Sequence, residues 1–154
     1  MGQMQCQIKW IGGLGFEAQI RDHKFVMDSP ASGVEANRGP SPKELLLASI
    51  CGCSGMDVAS ILQKMRIDFT RCEVHSVTHT TEGYPSIFDH VRLKFYIDAP
   101  SIKNEQALRA TELSMTKYCG VSAMVGEASP ISYEVILNGQ TIGGGEARFS
   151  EASN

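Results

Sequence analysis

Apolar and polar residues alternate along several stretches of the chain. Cys6, Ile8 and Trp10 interleave with Gln5, Gln7 and Lys9, and Phe16, Ala18 and Ile20 repeat the pattern beyond Gly12-Gly13. A period of two marks strands, and the glycine pair turns the chain between them. With a third short strand over 24 to 28, the N-terminus reads as an antiparallel meander. Residues 29 to 41, SPASGVEANRGPS, are turn formers and predict a loop. Val91, Leu93, Phe95 and Ile97 alternate with Arg92, Lys94, Tyr96 and Asp98, the clearest strand in the sequence. A strand over 72 to 81 precedes it, with EGYPSIFD as the intervening turn or loop. Ile131, Tyr133, Val135 and Leu137 predict a last strand. The remainder, GQTIGGGEARFSEASN, is Gly-rich and polar and predicts a mobile tail from about residue 139.

Between these stretches the period changes. Ser41 followed by Glu44 forms a capping box, and Pro42 occupies the first helical position, where a missing N–H costs nothing. The helix is predicted over 42 to 65. Its first half, Leu45 to Met56, carries no charge and is apolar or small on every side. Such a helix needs cover all round rather than along one stripe. Gly52 and Gly55 each cost roughly 1 kcal/mol of helix propensity, which suggests close approach by another backbone. A single small sheet cannot wrap this helix, so a second chain is expected to. From Asp57 onward the helix turns amphipathic, with Val58, Ile61, Leu62 and Met65 apolar. Further helices are predicted over 104 to 118 and 122 to 128. Strands, long helix, strands, helix, strand is an α+β order with mostly antiparallel sheets, not a doubly wound fold. At 154 residues, a single domain over 1 to 154 is expected.

Composition adds exclusions. A hydrophobic fraction of 42% and a net charge of -3 describe an ordinary globular chain with no electrostatic reason to bind nucleic acid or an anionic membrane. No apolar run in the sequence approaches the ~20 residues of a membrane span. The N-terminus lacks the basic and apolar regions of a secretion signal. The reading is cytoplasmic. Cys6, Cys51, Cys53, Cys72 and Cys119 make an odd count, unlike a secreted disulfide framework.

Cys51 and Cys53 point ~200° apart on a helix, so they neither clip one metal nor bond to each other. Cys51 shares its face with Leu47, Val58 and Leu62 and reads as core. Cys53 shares its face with Leu46, Ser49, Met56, Asp57 and Ser60, a mixed surface. It is the better candidate to meet solvent or substrate, with packing beneath a sheet as an even alternative. Cys119 lies at a junction, with Gly120 as the expected helix stop. A thiol near Lys117 and a helix start at Ser122 is pushed toward thiolate; the plainer alternative is a thiol filling a helix–helix corner. His75 and His79 lie ~13 Å apart on a strand and share no metal. His23 and His90 fall near turns, and Gly143-Gly144-Gly145 is linker-like. No metal or cofactor is expected.

Three segments carry a resemblance. Ser41-Pro42-Lys43-Glu44-Leu45-Leu46-Leu47-Ala48, then Gly52-Cys53-Ser54-Gly55-Met56-Asp57-Val58, then Lys117-Tyr118-Cys119-Gly120-Val121-Ser122 resemble the OsmC/Ohr family of thiol-dependent peroxidases. The order of elements is similar over about 4 to 138. Leu14 stands where the family's peroxidases carry an N-terminal arginine. Lys43 stands where they carry a glutamate after the motif proline, with Glu44 one residue later. Both features are nearer the YhfA-like branch. The resemblance implies an intertwined homodimer whose long helices lie centrally between sheets built from both chains. It implies that Cys53 is the peroxidatic cysteine and Cys119 the resolving one. A Cys53 sulfenic acid would condense to a Cys53–Cys119 disulfide, and an external dithiol would restore the thiols. The implied substrates are organic hydroperoxides, with hydrogen peroxide also used, in oxidative-stress defence. Glu44 is the nearest counterpart of the family's glutamate. Asp57, one turn from Cys53, opposes a thiolate, so a cation must compensate. Arg38 ranks first, ahead of Lys43, Arg21 and a residue of a second chain, because its loop can fold over the helix face. Two other functions compete. One is a small-molecule or lipid-binding protein that keeps the fold without redox turnover. The other is a thiol sensor or hydrolase with Cys53 as nucleophile.

Overall fold

The structure, a computed structural model, describes residues 2–29 and 37–150. Where one domain was expected, the chain divides into two compact units, Met1–Ala48 and Ser49–Asn154.

The N-terminal unit is the predicted meander. Strands β1 (Gln7–Trp10), β2 (Phe16–Ile20) and β3 (His23–Met27) pair antiparallel in that order. Ala18, opposite Ile8 and Phe25, is fully buried. Of the predicted loop, residues 30 to 36 lie outside the described residues. On either side of them, the Asp28 carboxylate accepts from Arg38 Nε at 2.8 Å and from the Ser29 backbone N–H at 2.8 Å. The guanidinium lies against Gly15, where any Cβ would collide with it. That close approach explains why a glycine ends the Gly12-Gly13-Leu14-Gly15 turn.

Helix α1 (Pro42–Lys64) starts as its sequence dictates. The Glu44 carboxylate accepts from the Ser41 backbone N–H at 2.7 Å and from Ser41 Oγ at 2.8 Å, and the Glu44 N–H approaches Ser41 Oγ at 3.4 Å. The buried residues are Ile50, Ser54, Val58 and Leu62, a single stripe at every fourth position. Cover on all sides is therefore not supplied by the described residues. Leu46 is 39% and Met56 75% exposed. Gly55 does pack closely, with Val74 Cγ2 at 3.3 Å from where its Cβ would be, but no described residue comes within 4 Å of the same position on Gly52. Cys51, expected in the core, is half-buried beside the stripe.

The C-terminal unit is built on a four-stranded sheet of β4 (Arg71–Val77), β5 (Val91–Asp98), β6 (Ile131–Leu137) and β7 (Gln140–Glu146), in that order. β5 and β6 are parallel and the other two pairs antiparallel. In this register Val91, Leu93, Phe95 and Ile97 stand beside Ile131, Tyr133, Val135 and Leu137, so both apolar sets share one buried face. A parallel neighbour requires a crossover. Helices α2 (Asn104–Leu113) and α3 (Gly120–Gly126), joined by a π-helical turn over Ser114–Tyr118, supply it.

Two expectations fail here. The tail from 139 is not mobile linker up to residue 146, because Gln140–Glu146 pairs with β6 as strand β7. Asn138 and Gly139, both at positive φ, form the tight turn that folds it back. The glycines are there for close approach. A Cβ on Gly143 would meet Leu108 of α2 at 2.9 Å, and one on Gly144 would run into the Tyr133 carbonyl oxygen. The second failure concerns Gly120. It opens α3 rather than stopping the preceding helix, which ends at Cys119 with φ -71° and ψ 94°.

Candidate active site

Cys53 and Asp57 lie one turn apart on the same face of α1, and Cys119 caps the N-terminus of α3. The two Sγ atoms and a carboxylate oxygen of Asp57 all lie within 4.8 Å of one another. Cys53 and Asp57 are half-buried, and Cys119 is fully buried.

The π-helical turn makes this convergence possible. The Cys119 N–H donates to the Ser114 carbonyl at 2.9 Å, five residues back, which widens the last turn before Cys119. Ser114, at the start of that turn, donates from Oγ to Asp57 Oδ2 at 3.0 Å, with the Ser54 carbonyl 3.5 Å away. Cys119 donates its S–H to Ser122 Oγ at 3.0 Å and accepts from the Ser122 N–H at 3.3 Å. Three fully buried serines, Ser54, Ser114 and Ser122, thus lie around the acidic groups.

The electrostatics run against ionisation. Burial raises the Asp57 carboxyl above its ordinary value, and the Ser114 hydrogen bond only partly opposes this. Burial also pushes the Cys119 thiol up to about 11; the two Ser122 hydrogen bonds work against that rise, and the adjacent Cys53 adds to it. The expectation that the helix start and Lys117 favour a Cys119 thiolate therefore fails. The sulfur is too deeply desolvated, and the Lys117 ammonium lies 5.2 Å from the Tyr118 ring centroid. Within this unit, no Lys, Arg or His among the described residues pairs with Asp57 or either thiol.

Glu44 and Arg38 belong to the N-terminal unit, and each is committed there. The Glu44 carboxyl sits below its ordinary value because the Ser41 backbone N–H and hydroxyl both donate to it. The Arg38 guanidinium spends Nε on Asp28, Nη1 on the Ile11 carbonyl at 3.2 Å and Nη2 on the Gly12 carbonyl at 2.7 Å. Its hydrogen-bonding capacity goes into closing a loop, a different task from the thiolate partner expected of it. Ser114 escaped the sequence reading, because it reaches Asp57 from a π-helical turn that no hydrophobic period announces. Ser122 figured there only as a helix start and in the Cys119 segment, not as a hydrogen-bond partner of the thiol.

A family model described as OsmC-like protein matches residues 35–134. The chain belongs to the OsmC family. Protein YhfA of Escherichia coli (strain K12) is 39% identical over 136 residues, covering 86% of this chain and 98% of its own. The crystal structure of a hypothetical protein from Aquifex aeolicus VF5 superposes with a TM-score of 0.76 at 26% identity, over 90% of this chain and 99% of that one. The organic hydroperoxide resistance protein OhrB of Bacillus subtilis shares the fold, with a TM-score of 0.62 at 14% identity over 87% of this chain and 98% of that one. Contrary to the reading of the bare sequence, α1 is long and apolar enough to cross a membrane by length and composition. In an OsmC-like fold it is a core helix.

Proposed function

We propose that the chain is a cysteine-based peroxidase that reduces organic hydroperoxides, and hydrogen peroxide in addition, as part of oxidative-stress defence in the cytoplasm. The observation that carries this reading is the meeting of a half-buried Cys53 thiol with a buried Cys119 thiol, from positions 66 residues apart in sequence. The resistance function in the name of the Bacillus subtilis relative agrees with it.

Cys53 loses its proton and its sulfur attacks the outer oxygen of the hydroperoxide. The O–O bond breaks, and the leaving alkoxide takes up a proton to depart as an alcohol. Cys53 is then a sulfenic acid. Cys119 gives up its proton, its sulfur attacks the Cys53 sulfur, and water leaves as the disulfide forms. An external dithiol restores both thiols by exchange. Asp57, whose carboxyl is raised above its ordinary value by burial, is the group beside Cys53 placed to pass a proton to the departing alkoxide. Glu44 acts by holding the start of α1. The working form is a homodimer. A second copy lying along α1 would cover Leu46, Met56 and the open side of Gly52.

Cys53→Ser should abolish consumption of cumene hydroperoxide with dithiothreitol, while Cys51→Ser keeps most of it. One equivalent of hydroperoxide should yield an intrachain 53–119 disulfide by peptide mass mapping, absent in Cys119→Ser. Equal loss of activity in the Cys53 and Cys51 variants would refute the assignment. One observation favours a second reading, a small-molecule or lipid-binding protein without turnover. No cation among the described residues of the unit attends the two thiols, although a fast thiolate needs one. Oxidation of neither cysteine by excess hydroperoxide would favour that reading.

A further inference from the structure

We propose that Cys53, Asp57 and Cys119 form a zinc site in the reduced protein. The donor set suits that ion. Two thiolates and a carboxylate are zinc ligands, and three protein ligands with an open fourth position are the usual arrangement where the metal remains accessible. The geometry is close to what binding needs. Tetrahedral zinc with bonds of about 2.3 Å to sulfur holds two sulfurs about 3.8 Å apart. The ligand atoms here lie within 4.8 Å of one another, so rotamer adjustment rather than backbone movement closes the difference. Cys53 and Asp57, one turn apart on the rigid α1, supply two ligands from one face, and Cys119 supplies the third from across the unit.

The surroundings resemble a built metal shell. Ligands in such sites are oriented by outer hydrogen bonds. Asp57 Oδ2 is held by Ser114, while Oδ1 has no hydrogen bond among the described residues. Cys119 is held by both the hydroxyl and the backbone N–H of Ser122. Cys53 and Asp57 are half-buried, which leaves an approach for the ion and room for water as fourth ligand. A divalent cation also supplies the charge that the three acidic groups lack. Binding replaces the thiol protons, so one Zn2+ entering the site releases two protons from Cys53 and Cys119.

The test uses reduced full-length protein, with Zn2+ or Co2+ as the only additions and no peroxide present, so it stands or falls separately from the peroxidase reading. One equivalent of zinc per chain should bind, with release of protons as the thiols ionise on the metal. Cobalt should give a thiolate-to-metal charge-transfer band with the intensity of two thiolates. The band should vanish in Cys53→Ser and Cys119→Ser and persist in Cys51→Ser. Asp57→Asn and Ser114→Ala address the case in which a Cys119 variant folds poorly. Each should keep the parent circular dichroism and lose roughly 10-fold or more in zinc affinity. Absence of the band, a band that survives Cys53→Ser, equal loss in Cys51→Ser, or parental affinity in Asp57→Asn would overturn the proposal.

Discussion

The buried thiol of Cys119 makes stability depend on pH in a predictable direction. Its folded value lies at about 11 against an ordinary 9.0. The folded chain therefore holds this proton more tightly than the unfolded chain does. The associated stability is whole below pH 9 and is lost as pH rises through 9 to about 11. Two pKa units at about 1.36 kcal/mol each set the scale at roughly 2.7 kcal/mol. Urea unfolding at pH 8 and pH 11, with reductant present and protein concentration fixed, should show the parent losing about 2.3 kcal/mol more stability than Cys119→Ser, since the folded thiol is itself half ionised at pH 11. Other groups raised by burial, such as Cys72 and Tyr133, titrate in both chains and cancel in the comparison. Alkylation followed by peptide mass mapping reads the same quantity directly, and the Cys119 rate should inflect near pH 11. An inflection at or below pH 9, or parallel losses of stability in parent and variant, would show that burial does not control this thiol.

Two further outcomes test the scaffold around the site. Gly144→Val should cost about 1–3 kcal/mol in urea unfolding, because the new side chain runs into the Tyr133 backbone on β6; a tail that does not pair would tolerate it. Arg38→Ala should lower stability by stranding the buried Asp28, and adding Asp28→Asn should recover part of the loss. Arg38 holds the Asp28 carboxyl below its ordinary value, so this stability is present above about pH 4 and lost as the pH falls further. An Arg38→Ala chain with parental stability at pH 7 would refute the loop-closing role.

Strands with a clean period of two were legible because burial on one face writes that period directly. Val91 to Asp98 and Ile131 to Leu137 are the cases, and the capping box at Ser41 was equally plain. The parallel pairing of β5 with β6 was not, since one buried face looks the same whichever way its neighbour runs. β7 was hidden because Gly143 to Gly145 serve as spacers for Leu108 and Tyr133, and spacers carry no apolar signal. Family resemblance singled out Cys53 and Cys119, which the structure brings together. It also led to Arg38 as a partner for the thiols, although that side chain is bound into its own unit by Asp28 and two carbonyls. Of the two readings open for Cys119, burial favours the thiol filling a helix–helix corner over the thiolate, because helix position is visible in sequence and desolvation is not.

Three acidic groups within 4.8 Å, with no described cation of their unit paired to them, limit the charge the site can carry. Two negative charges at that separation repel by about 3.5 kcal/mol at an effective dielectric constant near 20. That repulsion disfavours ionising two of the three groups together. Such a cluster favours one anion beside groups that keep their protons. Peroxide reduction needs this combination at the moment the O–O bond breaks, since one sulfur must carry charge while the departing alkoxide takes up a proton. The same arithmetic reverses around a divalent cation. Each ligand that ionises then gains attraction to the ion in place of repulsion from its neighbours, and all three can be anionic together. A site short of positive charge is thus consistent with both proposals, one relying on protons and the other on a metal ion to offset the charge. Asp57→Asn tests both: it removes the proton donor for the alkoxide, so peroxide consumption should slow, and it removes a ligand, so zinc binding should weaken in the absence of peroxide.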